Sequence, residues 1–190
     1  MSNLLDDLNP EQQKAVKATE GPVLILAGAG SGKTRALTYR VAYLISEKKT
    51  PPENILVLTF TNKASQEMVE RIKKLVGHCP TLPVMGTFHS FCAKILRKEG
   101  KVLGLPIGFA IYDEADSLDA IKEAMANLNI PTQKTNPSAV RSTISGAKNE
   151  LISSMEYPQY ARGYFQEIVA KIYLEYQKIL QKNSALDFDD

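Results

Sequence analysis

Ala27-Gly28-Ala29-Gly30-Ser31-Gly32-Lys33-Thr34, set directly after the apolar run Val23-Leu24-Ile25-Leu26, decides how this chain is read. The run is short, branched and unbroken, as a buried parallel strand should be, and helical spacing begins at once after Lys33. A glycine-rich turn between a strand and a helix brings backbone N–H groups onto phosphate oxygens. The helix start adds positive partial charge, Lys33 reaches the β- and γ-phosphates, and the Thr34 hydroxyl can ligate Mg²⁺. One residue departs from the usual pattern: Ala27 stands where a first glycine is expected. The alternative is a glycine turn beside an exposed lysine.

Outward from the octet, two more strand-like runs, Ile55–Phe60 and Val84–Phe88, are each followed by a segment of helical period. This βαβαβα order predicts a parallel sheet. The expected helix faces are Leu37, Val41, Leu44 and Ile45, then Ala64, Met68, Ile72 and Leu75, then Phe91, Cys92, Ile95 and Leu96, which makes Cys92 a core residue. Beyond Pro106 the pattern becomes helices punctuated by Pro and Asn. One is capped near Asp116 or Ser117 and runs through Leu118, Ile121, Met125 and Leu128. A second starts at Asn136-Pro137 and carries Val140, Ile144, Ala147 and Leu151. A third keeps its period from Phe165 to Leu180. This half is expected to be all-helical. Three parallel strands make a small sheet, so the chain reads as cut from a larger protein.

Composition sets the outer limits. At 190 residues and 44% hydrophobic content the chain can bury a core in one or two domains. Two cysteines, Cys79 and Cys92, make no disulfide framework and have no metal-ligand spacing, so reduced thiols and a cytoplasmic setting are expected. An acidic start, Leu4-Leu5-Asp6-Asp7, is unlike a signal peptide, and no apolar run approaches membrane-spanning length. The net charge of +2 is unevenly spread: residues 1–105 are basic in balance and 106–190 acidic, so the first half is the better polyanion face.

Several residues near the expected strand ends carry chemistry. Gln12, one short helix before the octet, has an amide that can give a donor and an acceptor to an adenine edge, or is simply an exposed helix residue. Ile55–Phe60 runs into Thr61-Asn62-Lys63-Ala64 and Val84–Phe88 into His89-Ser90, at the carboxyl ends where open α/β sheets bind ligands. Phe60 and Phe88 beside Thr, Asn, Lys and His supply the stacking and phosphate contacts that single-stranded nucleic acid requires. Taken singly, Phe88 reads as packed, Asn62 as a helix cap and His89 as a local hydrogen-bond partner. Asp113-Glu114-Ala115-Asp116 spells the acidic motif of DEAD-box RNA helicases, but a helix cap explains it better, and no Ser-Ala-Thr motif follows.

Leu8-Asn9 with Gln12, the octet continuing to Arg35, Thr59-Phe60-Thr61-Asn62-Lys63-Ala64, Gly86-Thr87-Phe88-His89-Ser90 and Leu186-Asp187-Phe188-Asp189-Asp190 together resemble the amino-terminal part of the UvrD/Rep/PcrA helicases of superfamily 1. The resemblance covers essentially the whole chain. It implies a first RecA-like P-loop domain over residues 1–105, a helical insert over 106–183 and a return to the RecA-like domain at 184–190. ATP and Mg²⁺ are the implied cofactors. Gln12 and the loop residues Ala27, Gly28, Ala29, Gly30, Ser31, Gly32, Lys33 and Thr34 are implied around the nucleotide, with Lys33 and Thr34 catalytic and Arg35 packed on adenine. Phe60, Asn62, Lys63, Thr87, His89 and Phe188 are implied along single-stranded DNA, as is Lys148 from the Ile144–Asn149 stretch. The implied parent couples ATP hydrolysis to 3′–5′ movement on single strands and at single-strand/duplex junctions, in repair or replication. The acidic strand that completes hydrolysis would lie beyond Asp190, so this chain is expected to bind nucleotide and hardly turn it over. The alternatives are a free-standing nucleotide-responsive binding module, and a small-molecule kinase that leaves Thr59–Lys63 and Thr87–Ser90 unexplained.

Overall fold

The computed structural model describes residues 4–77 and 81–190, so Cys79 lies outside the described residues. The chain divides into two compact units, Met1–Lys94 and Ile95–Asp190.

In the first unit the elements are α1 (Pro10–Lys17), α2 (Lys33–Ser46), β1 (Leu56–Thr59), α3 (Asn62–Val76), β2 (Val84–Thr87) and α4 (Phe88–Glu99), the unit boundary falling within α4. Strands β1 and β2 pair in parallel, with Leu56 opposite Val84 and Thr59 opposite Thr87. Between sheet and helices lie Val41 of α2, Ile55 and Val57 at β1, and Met68 and Ile72 of α3. Burying each of these aliphatic side chains is worth about 1.5–3 kcal/mol. The second and first expected helix faces are therefore present, although Leu37 is partly exposed. A smaller cluster joins Leu5, Leu8, Val16 and Tyr39.

Two expectations fail here. Val23–Leu26 forms no strand: no described strand lies alongside to bond its backbone, and Leu24 and Leu26 are 81% and 85% exposed. The expected three-stranded parallel sheet is thus a two-stranded one among the described residues. Helix α4 has no buried residue among Phe88–Glu99, and Cys92 is an exposed free thiol and not a core residue.

The second unit contains β3 (Ala110–Tyr112), α5 (Glu114–Asn127), α6 (Pro137–Asn149), α7 (Tyr157–Tyr160), α8 (Tyr164–Lys182) and β4 (Ala185–Asp187). Helices α5, α6 and α8 pack on one another around Ile121, Met125, Val140, Ile144, Ile172 and Tyr176. This half is not all-helical, because β3 and β4 form a parallel pair, Ala110 opposite Ala185 and Tyr112 opposite Asp187. Leu151 also leaves the expected stripe: α6 stops at Asn149, and Leu151 turns left-handed (φ 58°) into solvent. No helix among the described residues is long and apolar enough to cross a membrane.

Candidate nucleotide and nucleic-acid sites

The octet is a surface loop that ends in a helix. Gly32 takes φ +83° as the residue before α2, a left-handed conformation that favours glycine, and a Cβ there would lie 2.6 Å from Gln12 Nε2, the end of a flexible side chain that can shift. At Gly28 and Gly30 a Cβ would meet nothing within 4 Å, which leaves the loop backbone open to an approaching group. Lys33 Nζ donates to the carbonyls of Ala27 (2.8 Å) and Gly28 (2.6 Å), and Ser31 Oγ donates to Gly28 O at 2.7 Å. The ammonium is thus folded back across its own loop, held by the oxygens that an anion would replace.

Gln12 is brought to the loop by α1. Asn9 caps that helix, its side chain accepting from Gln12 N–H while Gln12 Oε1 accepts from Asn9 N–H. Gln12 Nε2 donates to Ser31 O at 3.0 Å, so the amide ties α1 to the octet. Around them is a cavity of about 500 Å³, with Asn9, Gln12, Ile25, Ser31, Lys33 and Ala36 in its wall. Thr34 is exposed in the first turn of α2, and its carbonyl accepts from Thr38 Oγ1. Arg35 donates to Asp7 O at 2.8 Å and lies 5.6 Å from the centre of the Tyr39 ring, whose hydroxyl donates to Asp7 Oδ2. Tyr39 is a partner that sequence reading missed. Burial raises its pKa, with the Asp7 carboxylate adding to the effect.

At the carboxyl ends of β1 and β2 stand Phe60 and Phe88. Their ring centres are 5.4 Å apart, tilted by 39°, with Phe60 91% and Phe88 47% exposed. Phe88, expected to pack inside, is half in solvent because the helix it opens presents no buried face. The cap of α3 is Thr61, whose side chain accepts from Ala64 N–H at 3.2 Å, and not Asn62. Asn62 and Lys63 are exposed in the first turn of α3, and His89 in that of α4. Thr87 Oγ1 accepts from Ser90 N–H at 3.2 Å.

The acidic quartet proves to be a helix start. Asp113, not Asp116 or Ser117, caps α5, accepting from Ala115 and Asp116 N–H, while Asp116 accepts from Asp113 N–H. Glu114 pairs with Arg141. Among the described residues no group of three or more His, Cys, Asp and Glu side chains could hold a metal ion.

Lys148 is placed in the interior of the second unit, paired at 2.7 Å with both Asp187 and Asp190. The ammonium implied along single-stranded DNA thus has its charge matched inside the protein. Burial alone would raise the Asp187 pKa, but the Lys148 ammonium, its hydrogen bond and that of Tyr176 hold it below the ordinary aspartate value. The neighbouring Tyr173 is pushed up to about 12 by burial, with the carboxylates of Asp190, Asp187 and Asp189 contributing. Sequence carried a signal for Lys148: it follows Ile144 by four residues, in line with the buried stripe of α6.

The UvrD/REP helicase N-terminal domain profile matches residues 8–190. The chain is 48% identical over 189 residues to the ATP-dependent DNA helicase PcrA of Bacillus subtilis (strain 168). It is 48% identical over 190 residues to that of Staphylococcus aureus (strain Mu50) and 45% identical over 190 residues to that of Staphylococcus epidermidis. Each match covers 100% of this chain and 26% of the relative, so the chain corresponds to their amino-terminal part and spans about a quarter of their length.

Proposed function

The chain belongs to the UvrD/REP helicase N-terminal domain family, and on that footing we propose that it is the ATP- and single-stranded-DNA-binding portion of an ATP-dependent 3′–5′ DNA helicase acting in repair or replication. The observation that carries the nucleotide half is Lys33, whose ammonium lies across the carbonyls of a glycine loop at the start of α2, beside a cavity of about 500 Å³. Phosphate oxygens exchange for those carbonyls, and the start of α2 favours their charge. Gln12 turns its amide from Ser31 to the adenine edge, and Arg35 packs on the base. The exposed Thr34 hydroxyl is the group that would hold Mg²⁺, which when bound neutralises charge on the β- and γ-phosphates.

The exposed Phe60–Phe88 pair supports the DNA half. Aromatic faces stack on bases without regard to sequence, and Asn62, Lys63, Thr87 and His89 stand beside them to meet backbone and sugar. Phe188, in the second unit, takes a base in the same manner. Lys148 is left out of this set, because its ammonium is already spent on two carboxylates.

Hydrolysis also needs a carboxylate that orients water. Asp113 and Glu114, which imitate such a pair in sequence, are engaged as a cap and in an ion pair. Binding without appreciable turnover is the expected behaviour of the 190-residue chain. A fluorescent ATP analogue and phosphate release, each measured with and without oligothymidylate, test this against Lys33→Ala. Expected are Lys33-dependent binding and a turnover no higher than that of the variant. Lys33-dependent turnover would show that the chain carries its own hydrolytic carboxylates, and binding indifferent to Lys33 would overturn the nucleotide site.

A further inference from the structure

The last four residues of the chain are tied into a closed turn. Asp187 Oδ1 accepts from the N–H groups of Asp189 (3.0 Å) and Asp190 (2.9 Å), and Asp190 Oδ2 accepts from Asp187 N–H at 3.0 Å. Lys148 at the end of α6 then clamps the turn. Its Nζ donates to Asp187 Oδ2 and Asp190 Oδ1, both at 2.7 Å, and sits 5.3 Å from the centre of the Tyr176 ring. The Tyr176 hydroxyl donates to the same Asp187 oxygen at 2.8 Å, and Asn149 Nδ2 reaches Asp189 at 3.3 Å. Out of this locked turn comes Phe188, a residue 53% exposed at a cavity of about 250 Å³ walled by Arg141, Ser145 and Tyr176.

We infer that Lys148 is a positioning residue, which fixes the Asp187–Asp190 turn so that the Phe188 ring is held ready to stack on a nucleobase. The inference rests on the reading of Phe188 as a base-stacking side chain. A ring carried on a loose turn has to be ordered when the base arrives, and that loss of freedom is subtracted from the stacking gain. A ring on a turn already locked binds more tightly with no additional contact. Neutralised by two carboxylates and shielded from water, the Lys148 ammonium releases no counterion from DNA. Its influence passes through Phe188.

A double-mutant cycle on the 190-residue chain tests this, using Lys148→Met, Phe188→Ala and the pair. The probe is an oligothymidylate carrying one 2-aminopurine, whose emission reports stacking. Phe188→Ala should weaken binding on the order of tenfold. Lys148→Met should weaken it too and remove the emission change, the double variant binding no worse than Phe188→Ala. The salt dependence of Lys148→Met should match that of the unmutated chain. Additive losses, or a salt slope shallower by about 0.7 as for one lost phosphate contact, would make Lys148 a direct DNA contact and overturn the positioning role. An undiminished stacking signal in Lys148→Met would overturn it as well. Binding unaffected by Phe188→Ala would remove the stacking reading itself, and the inference with it. Where Lys148→Met does not fold, Tyr176→Phe deletes one hydroxyl donor to Asp187 at nearly constant shape. The stacking signal should then fall, and an unchanged signal counts against the proposal.

Discussion

Lys33 and Lys148 both direct an ammonium at oxygens of their own chain, and their surroundings give them opposite uses. Lys33 is exposed and holds neutral carbonyls that a charged ligand can displace. Lys148 is buried and holds two carboxylates, so removing it leaves charge stranded in the interior. The difference has a pH signature. Asp187 is held below its ordinary pKa, so its contribution to stability is fully present above the unfolded-state value and is lost as pH falls through the lower folded-state one. Urea unfolding across roughly pH 5 to 2 should therefore show a steeper loss of stability in the unmutated chain than in Asp187→Asn. Parallel declines would mean that the carboxylate is not held down. At Gly32 and Lys33 the glycine turn and the helix start were legible in the octet, and the structure has both. Lys148 was not, because one letter serves equally for a phosphate contact and for a buried pair, and only its place in the apolar stripe of α6 separated the two.

Among the elements, helices α2, α3, α6 and α8 were legible from their period, and β1 and β2 as short strand-like runs, each followed by a helical segment. The helix starts were less so. Asp113 and Thr61 cap their helices where Asp116 or Ser117 and Asn62 were expected, since Ser, Thr, Asp and Asn all cap and sequence does not say which one turns extended. At α3 the distinction can be measured. Thr61→Ala should cost about 1 kcal/mol of stability through the lost cap, whereas Asn62→Ala should leave the unfolding midpoint in place and weaken single-stranded DNA binding. Urea titration of both variants checks this, and the reverse ranking would return the cap to Asn62. Val23–Leu26 was unreadable for a different reason. A parallel strand is completed by a neighbour distant in sequence, and composition carries no record of whether that neighbour is present.

Over the whole molecule, stability should be unevenly distributed. The largest cluster of buried residues lies among α5, α6 and α8, while residues 21–32 contain no strand or helix. Amide hydrogen exchange should be slowest at Ile172 and Tyr176 and fast at Leu24 and Leu26, whose N–H groups belong to no ladder. Protection at Leu24 comparable to that in α8 would mean the run is paired in solution. Within the first unit, α2 opens at Lys33 of the glycine loop and α3 opens at Asn62 beside Phe60, and the two helices meet through Val41, Met68 and Ile72. They are two struts on one bearing. Close-packed side chains yield little under load, so a displacement at the tip of one strut has to be taken up at the bearing or delivered at the tip of the other, where the exposed Phe60 ring stands.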